Sequence, residues 1–211
     1  DGHADEALAA AGSDVVEGSY GIGRGLVAFG GRGGVGTASR RCDIDGATVT
    51  VGALVVVNGG EVDGLTVDGL PLPLNGRRPL GPQVPRTAAA VIITDAPLIP
   101  RQLGRLAGRA AFGLVRVGLF DGHTRDGLVV AVSTTGLAAG DVKPDGTASA
   151  AMVGESELSQ PFTAAAECCE ESVLNALLMS TPLPDRGLAG LAAGDWVGGL
   201  RGAQSRRRSK R

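Results

Sequence analysis

The stretch of residues 86–100, RTAAAVIITDAPLIP, constrains the fold more than any other part of the chain. Small and β-branched residues at positions 87–93 favour a buried strand. The T-D-A-P segment then ends it, because proline cannot donate to a strand ladder. Residues 98–117 follow with leucines and alanines on one face at helical spacing and arginines on a solvated face. A strand followed at once by an amphipathic helix predicts a layer of helix on sheet.

Three other segments extend this pattern. Residues 47–57 alternate and then become fully apolar, which predicts a strand buried on both faces. Residues 127–134 predict another buried strand, and residues 159–180 predict a helix with two adjacent cysteines in the core. Residues 37–45 are polar and indicate a turn. The sequence therefore predicts an α/β layered fold.

The segment of residues 61–85 contains five prolines and no periodic pattern. This composition predicts a flexible surface loop or linker. At about 25 residues it is longer than compact domains keep without a purpose, and a processing segment is one such purpose.

Composition excludes several classes of protein. An apolar content of 43% with a net charge of −2 is not typical of disordered chains. No apolar run reaches the roughly 18 residues that span a bilayer, so we expect a soluble, cytoplasmic protein without a membrane partner. Near-neutral charge argues against a nucleic-acid partner, although the basic tail of residues 201–211 could contact an anion or be a solvated terminus. Two histidines and three cysteines give no metal-ligand pattern, and we expect no cofactor.

Glycines at positions 31, 33 and 36 match the pattern G-x-G-x-x-G. A dinucleotide site requires a helix that begins at the third glycine, whereas a polar segment follows here. A nucleotide-dependent oxidoreductase is therefore a weak alternative. The glycines instead indicate tight packing, or backbone N–H groups at Gly33 and Gly34 that face a small anion.

Asn58 ends the strand of residues 47–57 and precedes two glycines. Spacing alone allows two interpretations. Asn58 is either a turn residue that tolerates positive φ or a polar amide presented by a rigid element.

Five stretches together resemble the L-aminopeptidase/D-esterase, or β-aminopeptidase, family of self-processing N-terminal nucleophile hydrolases, which includes a nylon-oligomer hydrolase. They occur in the family's order and cover most of the chain. The stretches are VVEGSYGIGRGL (15–26), GGVGTASR (33–40), VGALVVVN (51–58), ITDAPLIPRQLGRLAGRAAFGL (93–114) and EESVLNALL (170–178).

The resemblance implies that the chain is cut once, by one of its own side chains. In the family, the residue after the cut becomes the N-terminus of the smaller subunit and lies seven positions before the Thr of T-D-A-P. That residue is Ser in the peptidases and Thr in the nylon-oligomer hydrolase. Here it is Thr87, so the cleaved bond would join Arg86 and Thr87. A free α-amine, with a reference pKa of about 8, can act as the base for the hydroxyl of the same residue.

The resemblance also implies the other site residues. Asn58 would donate to the oxyanion, and Thr124 with Asp126 would supply the family's hydroxyl and carboxylate, although the turn is shifted by one residue. A solvated turn is the alternative for this pair. Arg32, at the place of a basic residue in relatives, could bind a carbonyl or carboxylate beside Gly33 and Gly34.

The implied architecture is an α-β-β-α sandwich, incomplete at its N-terminus because an N-terminal region of the family has no counterpart here. Residues 1–86 would be the end of the larger subunit, with 61–86 as the processing loop, and residues 87–211 the smaller subunit. Expected substrates are small peptides, amino-acid amides or esters, or amide oligomers, acted on by a homo-oligomer. The alternative is an inactive or truncated homologue with a structural role.

Overall fold

The computed structural model describes residues 2–74, 77, 87–119, 126–135, 143–147 and 152–191. Within these residues the α-helices are α1 (Gly2–Ala9), α2 (Pro100–Arg116) and α3 (Ser159–Leu178). The strands are β1 (Val27–Ala28), β2 (Gly31–Arg32), β3 (Gly34–Ile44), β4 (Ala47–Asn58), β5 (Thr66–Val67), β6 (Leu70–Pro71), β7 (Thr87–Thr94) and β8 (Asp126–Ser133).

Four strands form the main sheet in the order β3-β4-β7-β8. The pairs β3/β4 and β4/β7 are antiparallel, and β7/β8 is parallel. A parallel pair needs a long crossover, and α2 lies within the one between β7 and β8. The strand, break and helix expected from residues 86–117 are confirmed, but the expected burial of the strand holds for one face only, since Val91 and Ile93 on the other face are 38% and 45% exposed.

Helices α2 and α3 cover one face of the sheet. Val51, Val55, Val57 and Ile92 are fully buried between the layers. The approach of α3 to β3 is very close, since a Cβ at Gly36 would lie 1.9 Å from the carbonyl oxygen of Ser172. A glycine is therefore required at position 36. Cys168 and Cys169 of α3 are fully buried, so their predicted position in the core is confirmed.

The opposite face of the sheet, which we call the open face, carries exposed apolar side chains. These are Val91, Ile93, Leu128, Val130 and Val132, between 38% and 61% exposed. The expectation that residues 127–134 form a buried strand is therefore right about the strand and wrong about its burial. Strand β8 ends the order of the sheet, and its alternate residues point away from the helices.

Two other expectations are corrected. Residues 37–45 are not a turn but belong largely to β3, whose polar side chains have partners: Arg40 pairs with Glu167 and Glu171 of α3. The segment that begins at residue 61 is not simply a surface loop, because Leu65 and Leu72 are buried in the core. The hairpin β5–β6 lies within it.

The arginines of α2 are more engaged than a solvated face implies. Arg101 and Arg105 both pair with the carboxylate of Glu155. The hydrogen bond from Arg105 is the main reason why the pKa of Glu155 is lowered. The guanidinium of Arg109 lies 5.5 Å from the centre of the Phe162 ring of α3.

Candidate active site

Three of the proposed site residues occupy one row of the main sheet. Asn58 is the last residue of β4, and Thr87 and Asp126 are the first residues of β7 and β8. In the register, Asn58 is paired with Thr87, and Thr87 is paired with Asp126. Directly opposite residues of antiparallel strands have Cβ atoms about 5 Å apart, so Asn58 and Thr87 are neighbours.

The row lies at one end of the open face. Ala88 is paired with Val57 on the face covered by helices, so Thr87, one residue earlier, projects to the other side. Its side chain is exposed. A hydroxyl at the start of a strand and an amide at the end of its neighbour are thereby held by backbone pairing.

The amide of Asn58 has a fixed orientation. Its Oδ1 accepts a hydrogen bond from the backbone N–H of Val27 at 3.0 Å. Positive φ values fall on Gly59 and Gly60, at 146° and 94°, while Asn58 is extended. The interpretation of Asn58 as a positive-φ turn residue is therefore wrong. Because the oxygen end of the amide is engaged, its nitrogen is the end that can donate to another group.

Arg32 is buried, with 3% of its surface exposed. Its Nε donates to the carbonyl of Thr181 at 3.1 Å, and its Nη2 donates to the carbonyl of Arg24 at 2.7 Å. These contacts hold the backbone. Binding of a substrate or anion by Arg32 stays a prediction.

The backbone at Gly33 and Gly34 is closely packed against other parts of the chain. The Gly33 N–H donates to the carbonyl of Leu26, and a Cβ at Gly34 would lie 2.5 Å from Oγ of Ser180. Strand β3 begins at Gly34 and continues through Gly36, so no helix opens at the third glycine of the G-x-G-x-x-G pattern. The geometry required for dinucleotide binding is absent from this segment.

Arg86 and Thr124 lie outside the described residues. For Asp126 the structure gives the strand and the register of its backbone. The roles proposed for these residues stay predictions.

Other features of the described residues do not add a second site. Burial raises the pKa of Cys168 to about 11 and that of Cys169 to about 12, so both are thiols at neutral pH rather than nucleophilic thiolates. A shallow cavity of about 290 Å³ beside Arg40, Cys42 and Glu167 contains none of the proposed site residues. The part of the chain that the structure describes holds no group of three metal-ligating side chains.

The family of this chain follows from its similarity to known proteins. The sequence pattern of peptidase family S58 matches residues 1–189. This chain belongs to peptidase family S58. The resemblance stated from the five stretches of sequence is therefore confirmed.

Curated relatives carry aminopeptidase names. The beta-peptidyl aminopeptidase BapA of Sphingosinicella microcystinivorans is 36% identical over 193 residues, covering 82% of this chain and 48% of that protein. An uncharacterized aminopeptidase of Mycobacterium tuberculosis is 36% identical over 203 residues, covering 84% of this chain and 57% of that protein. The chain thus spans about half the length of the curated relatives it matches.

Solved structures share the fold. A beta-aminopeptidase from Burkholderia sp. superposes with a TM-score of 0.81 at 37% identity, over 96% of this chain and 58% of that one. The L-aminopeptidase D-Ala-esterase/amidase of Ochrobactrum anthropi, described as a variant of the Ntn-hydrolase fold, gives 0.79 at 31% identity, over 90% of this chain and 54% of that one. The predicted α/β class is confirmed, and the fold is that of the Ntn-hydrolase aminopeptidases.

Sequence reasoning did not identify the partner that orients Asn58. That partner is the backbone N–H of Val27, 31 residues earlier. Any residue except proline supplies this donor, so no pattern of side chains signals it.

Proposed function

We propose that the chain is the catalytic part of a self-processing aminopeptidase or amidase in which Thr87 is the nucleophile. The observation that carries the proposal is the row of Asn58, Thr87 and Asp126 on three neighbouring strands. Membership of peptidase family S58 supports the same reaction class. Self-cleavage would divide the chain into residues 1–86 and 87–211.

In the proposed first step, the Thr87 hydroxyl attacks the carbonyl carbon of Arg86. The C–O bond forms, the peptide C–N bond breaks, and the nitrogen takes up the hydroxyl proton to become an amine. Water then hydrolyses the ester, giving a carboxylic acid at Arg86 and returning a proton to the Thr87 oxygen. The products are two chains, the second with a free amine and a free hydroxyl on its first residue.

In the proposed second reaction, this amine accepts the proton of the Thr87 hydroxyl as the oxygen attacks the carbonyl carbon of an amide substrate. The substrate C–N bond then breaks, and the leaving amine takes up that proton. Water hydrolyses the resulting ester to a carboxylic acid and returns a proton to the Thr87 oxygen. The Asn58 amide nitrogen donates to the developing oxyanion, and loss of such a donor typically lowers kcat about 10²–10³-fold. Thr124 and Asp126 complete the proposed group of polar residues. Arg32, Gly33 and Gly34 stay candidates for holding the substrate's carbonyl or carboxylate.

The names of the relatives suggest the substrates. Small peptides, amino-acid amides and esters fit a beta-peptidyl aminopeptidase and an L-aminopeptidase D-Ala-esterase/amidase. We extend the proposal to short amide oligomers and to a homo-oligomeric assembly.

Replacement of the nucleophile tests the proposal. Thr87→Ala removes the attacking oxygen, so we expect an uncut chain by intact-mass analysis and no hydrolysis of amino-acid p-nitroanilides. Thr87→Ser keeps a hydroxyl and is the matched control, for which we expect both cleavage and activity.

Cleavage before residue 87 in Thr87→Ala would overturn the assignment of the nucleophile. An unmodified protein that stays uncut and inactive would instead support the alternative, a homologue with a structural role.

A further inference from the structure

We propose that Arg77 is a positioning residue for the Asn58 amide and that it acts through strand β1. This inference rests on the proposed function, because it concerns the orientation of the proposed oxyanion donor. Arg77 lies in the segment that sequence analysis assigned to a processing loop.

Strand β1 is the support of Asn58. The Val27 N–H donates to Asn58 Oδ1 at 3.0 Å, and the Phe29 N–H donates to the Gly59 carbonyl at 3.0 Å. Ala28, between them, forms a parallel bridge with Gly59. A shift of β1 along or away from β4 would therefore rotate the Asn58 amide.

Two guanidinium groups hold β1 at its two ends. Before the strand, Arg32 Nη2 donates to the Arg24 carbonyl at 2.7 Å. After the strand, Arg77 Nη1 donates to the Phe29 carbonyl at 3.4 Å. Both donors are charged, which favours this position of β1. The bond from Arg32 is short, and the bond from Arg77 is long and therefore the weaker of the two.

The same two arginines are anchored to the segment that follows α3. Arg32 Nε donates to the Thr181 carbonyl at 3.1 Å, and Arg77 Nη2 donates to the Gly190 carbonyl at 2.8 Å. Each guanidinium thus joins β1 to a third part of the chain. We call Arg32, Arg77 and these four carbonyls the β1 clamp.

The sequence leaves room for the Arg77 guanidinium. A Cβ at Gly31 would lie 2.2 Å from Arg77 Nη1, so a side chain larger than glycine would displace the guanidinium or the backbone of Gly31. Arg77 is also the better residue for a test, because it is only half-buried. Arg32 is nearly fully buried, so its removal would also leave an unfilled space inside the fold.

The test is a double-mutant cycle on full-length protein. An oxyanion donor acts in the transition state, so Arg77→Ala is expected to lower kcat about tenfold and to change KM less than about twofold. In the Asn58→Ala background, Arg77→Ala is expected to have no further effect on kcat, because the group that it positions is gone. Arg77→Lys retains one cationic donor and is expected to recover part of kcat.

Arg40→Ala is the matched control. Like Arg77, Arg40 contacts two other residues, in this case the carboxylates of Glu167 and Glu171. In the sheet it is paired with Val51, which lies far from Asn58 on β4. We expect Arg40→Ala to leave kcat unchanged. An equal loss of kcat from Arg77→Ala in both backgrounds would overturn the inference, since Arg77 would then act independently of Asn58.

Amide hydrogen exchange gives a readout that does not depend on activity. Arg77→Ala is expected to reduce the protection of the Val27 N–H at least about tenfold, whereas Arg40→Ala is expected to leave it unchanged. Unchanged protection of Val27 in Arg77→Ala would overturn the link from Arg77 to Asn58. If the unmodified protein neither cuts itself nor hydrolyses amides, the proposed function fails, and the exchange result still decides the link.

Discussion

At the scale of the residue, Asn58 has two tasks that different atoms of one amide perform. Its oxygen accepts from Val27 and fixes β1, while its nitrogen is the proposed donor to the oxyanion. The first task contributes to stability, and a hydrogen bond of this kind is worth about 1 kcal/mol. The second contributes to the free energy of the transition state alone. Comparing a substitution that removes both tasks with one that removes only the second separates them.

Asn58→Ala removes both tasks, and Asn58→Asp keeps the acceptor while removing the amide donor. We expect Asn58→Ala to lower the free energy of unfolding by about 1 kcal/mol and Asn58→Asp to lower it less. Both variants are expected to lose about 100-fold or more in kcat. Urea denaturation and p-nitroanilide kinetics measure the two effects.

Normal turnover by Asn58→Asp would show that the amide nitrogen is not an oxyanion donor. A loss of more than about 3 kcal/mol in Asn58→Ala would show that the residue is chiefly structural.

At the scale of the element, the position of α3 on β3 depends on glycines with no room for a side chain. A Cβ at Gly36 would meet the Ser172 carbonyl oxygen at 1.9 Å and the Ala176 nitrogen at 2.5 Å, and both are backbone atoms that cannot rotate away. The two helices meet in the same way, since a Cβ at Gly113 of α2 would lie 2.2 Å from the Ala166 carbonyl oxygen. Gly36 and Gly113 therefore allow backbone to pack on backbone rather than forming turns.

Gly36→Ala is expected to lower the free energy of unfolding by about 3 kcal/mol, because α3 must move away from the sheet. Gly52→Ala is the matched control on the neighbouring strand. Atoms nearest to a Cβ at Gly52 are 3.8 Å away, so its stability should change by less than about 0.5 kcal/mol. Denaturant titration compares them, and equal losses would show that the close packing at Gly36 is not the cause.

At the scale of the whole molecule, the sheet is covered by helices on one face and carries exposed apolar side chains on the other. Contiguous exposed apolar surface of this kind is typical of an interaction surface. In an α-β-β-α sandwich the two sheets pack about 10 Å apart, and the open face is where a second sheet would lie. The candidate site is at the end of this face. None of the helices in the described ranges is long and apolar enough to cross a membrane.

We expect the 211-residue chain on its own to bind a hydrophobic dye and to self-associate through the open face. The double substitution Leu128→Lys with Val132→Lys should lower dye fluorescence and shift sedimentation toward the monomer, because burying an unpaired charge opposes packing of one face on another. Leu8→Lys is the control, since Leu8 is 76% exposed and lies on α1, which has no buried residues. Equal changes in both variants would show that the open face is not the cause.

The sequence by itself determined the features that depend on neighbours in the chain. Residue types at positions 86–117 predicted β7, the break and α2. The resemblance to the family made Thr87, seven positions before Thr94, the proposed nucleophile. The family followed from five short stretches, each recognisable without any contact.

Only the tertiary structure decided the features that depend on partners distant in the chain. The polarity of residues 37–45 indicated a turn because their ion-pair partners lie on α3, more than a hundred residues away. The pairing of Asn58 with Thr87 depends on the register of β4 and β7. A shift of one residue would move the side chains of one strand to the opposite face of the sheet. The contacts of Arg77 with Phe29 and Gly190 likewise join segments that are distant in the sequence. Every residue has a backbone carbonyl, so the type of the acceptor residue does not reveal such a hydrogen bond.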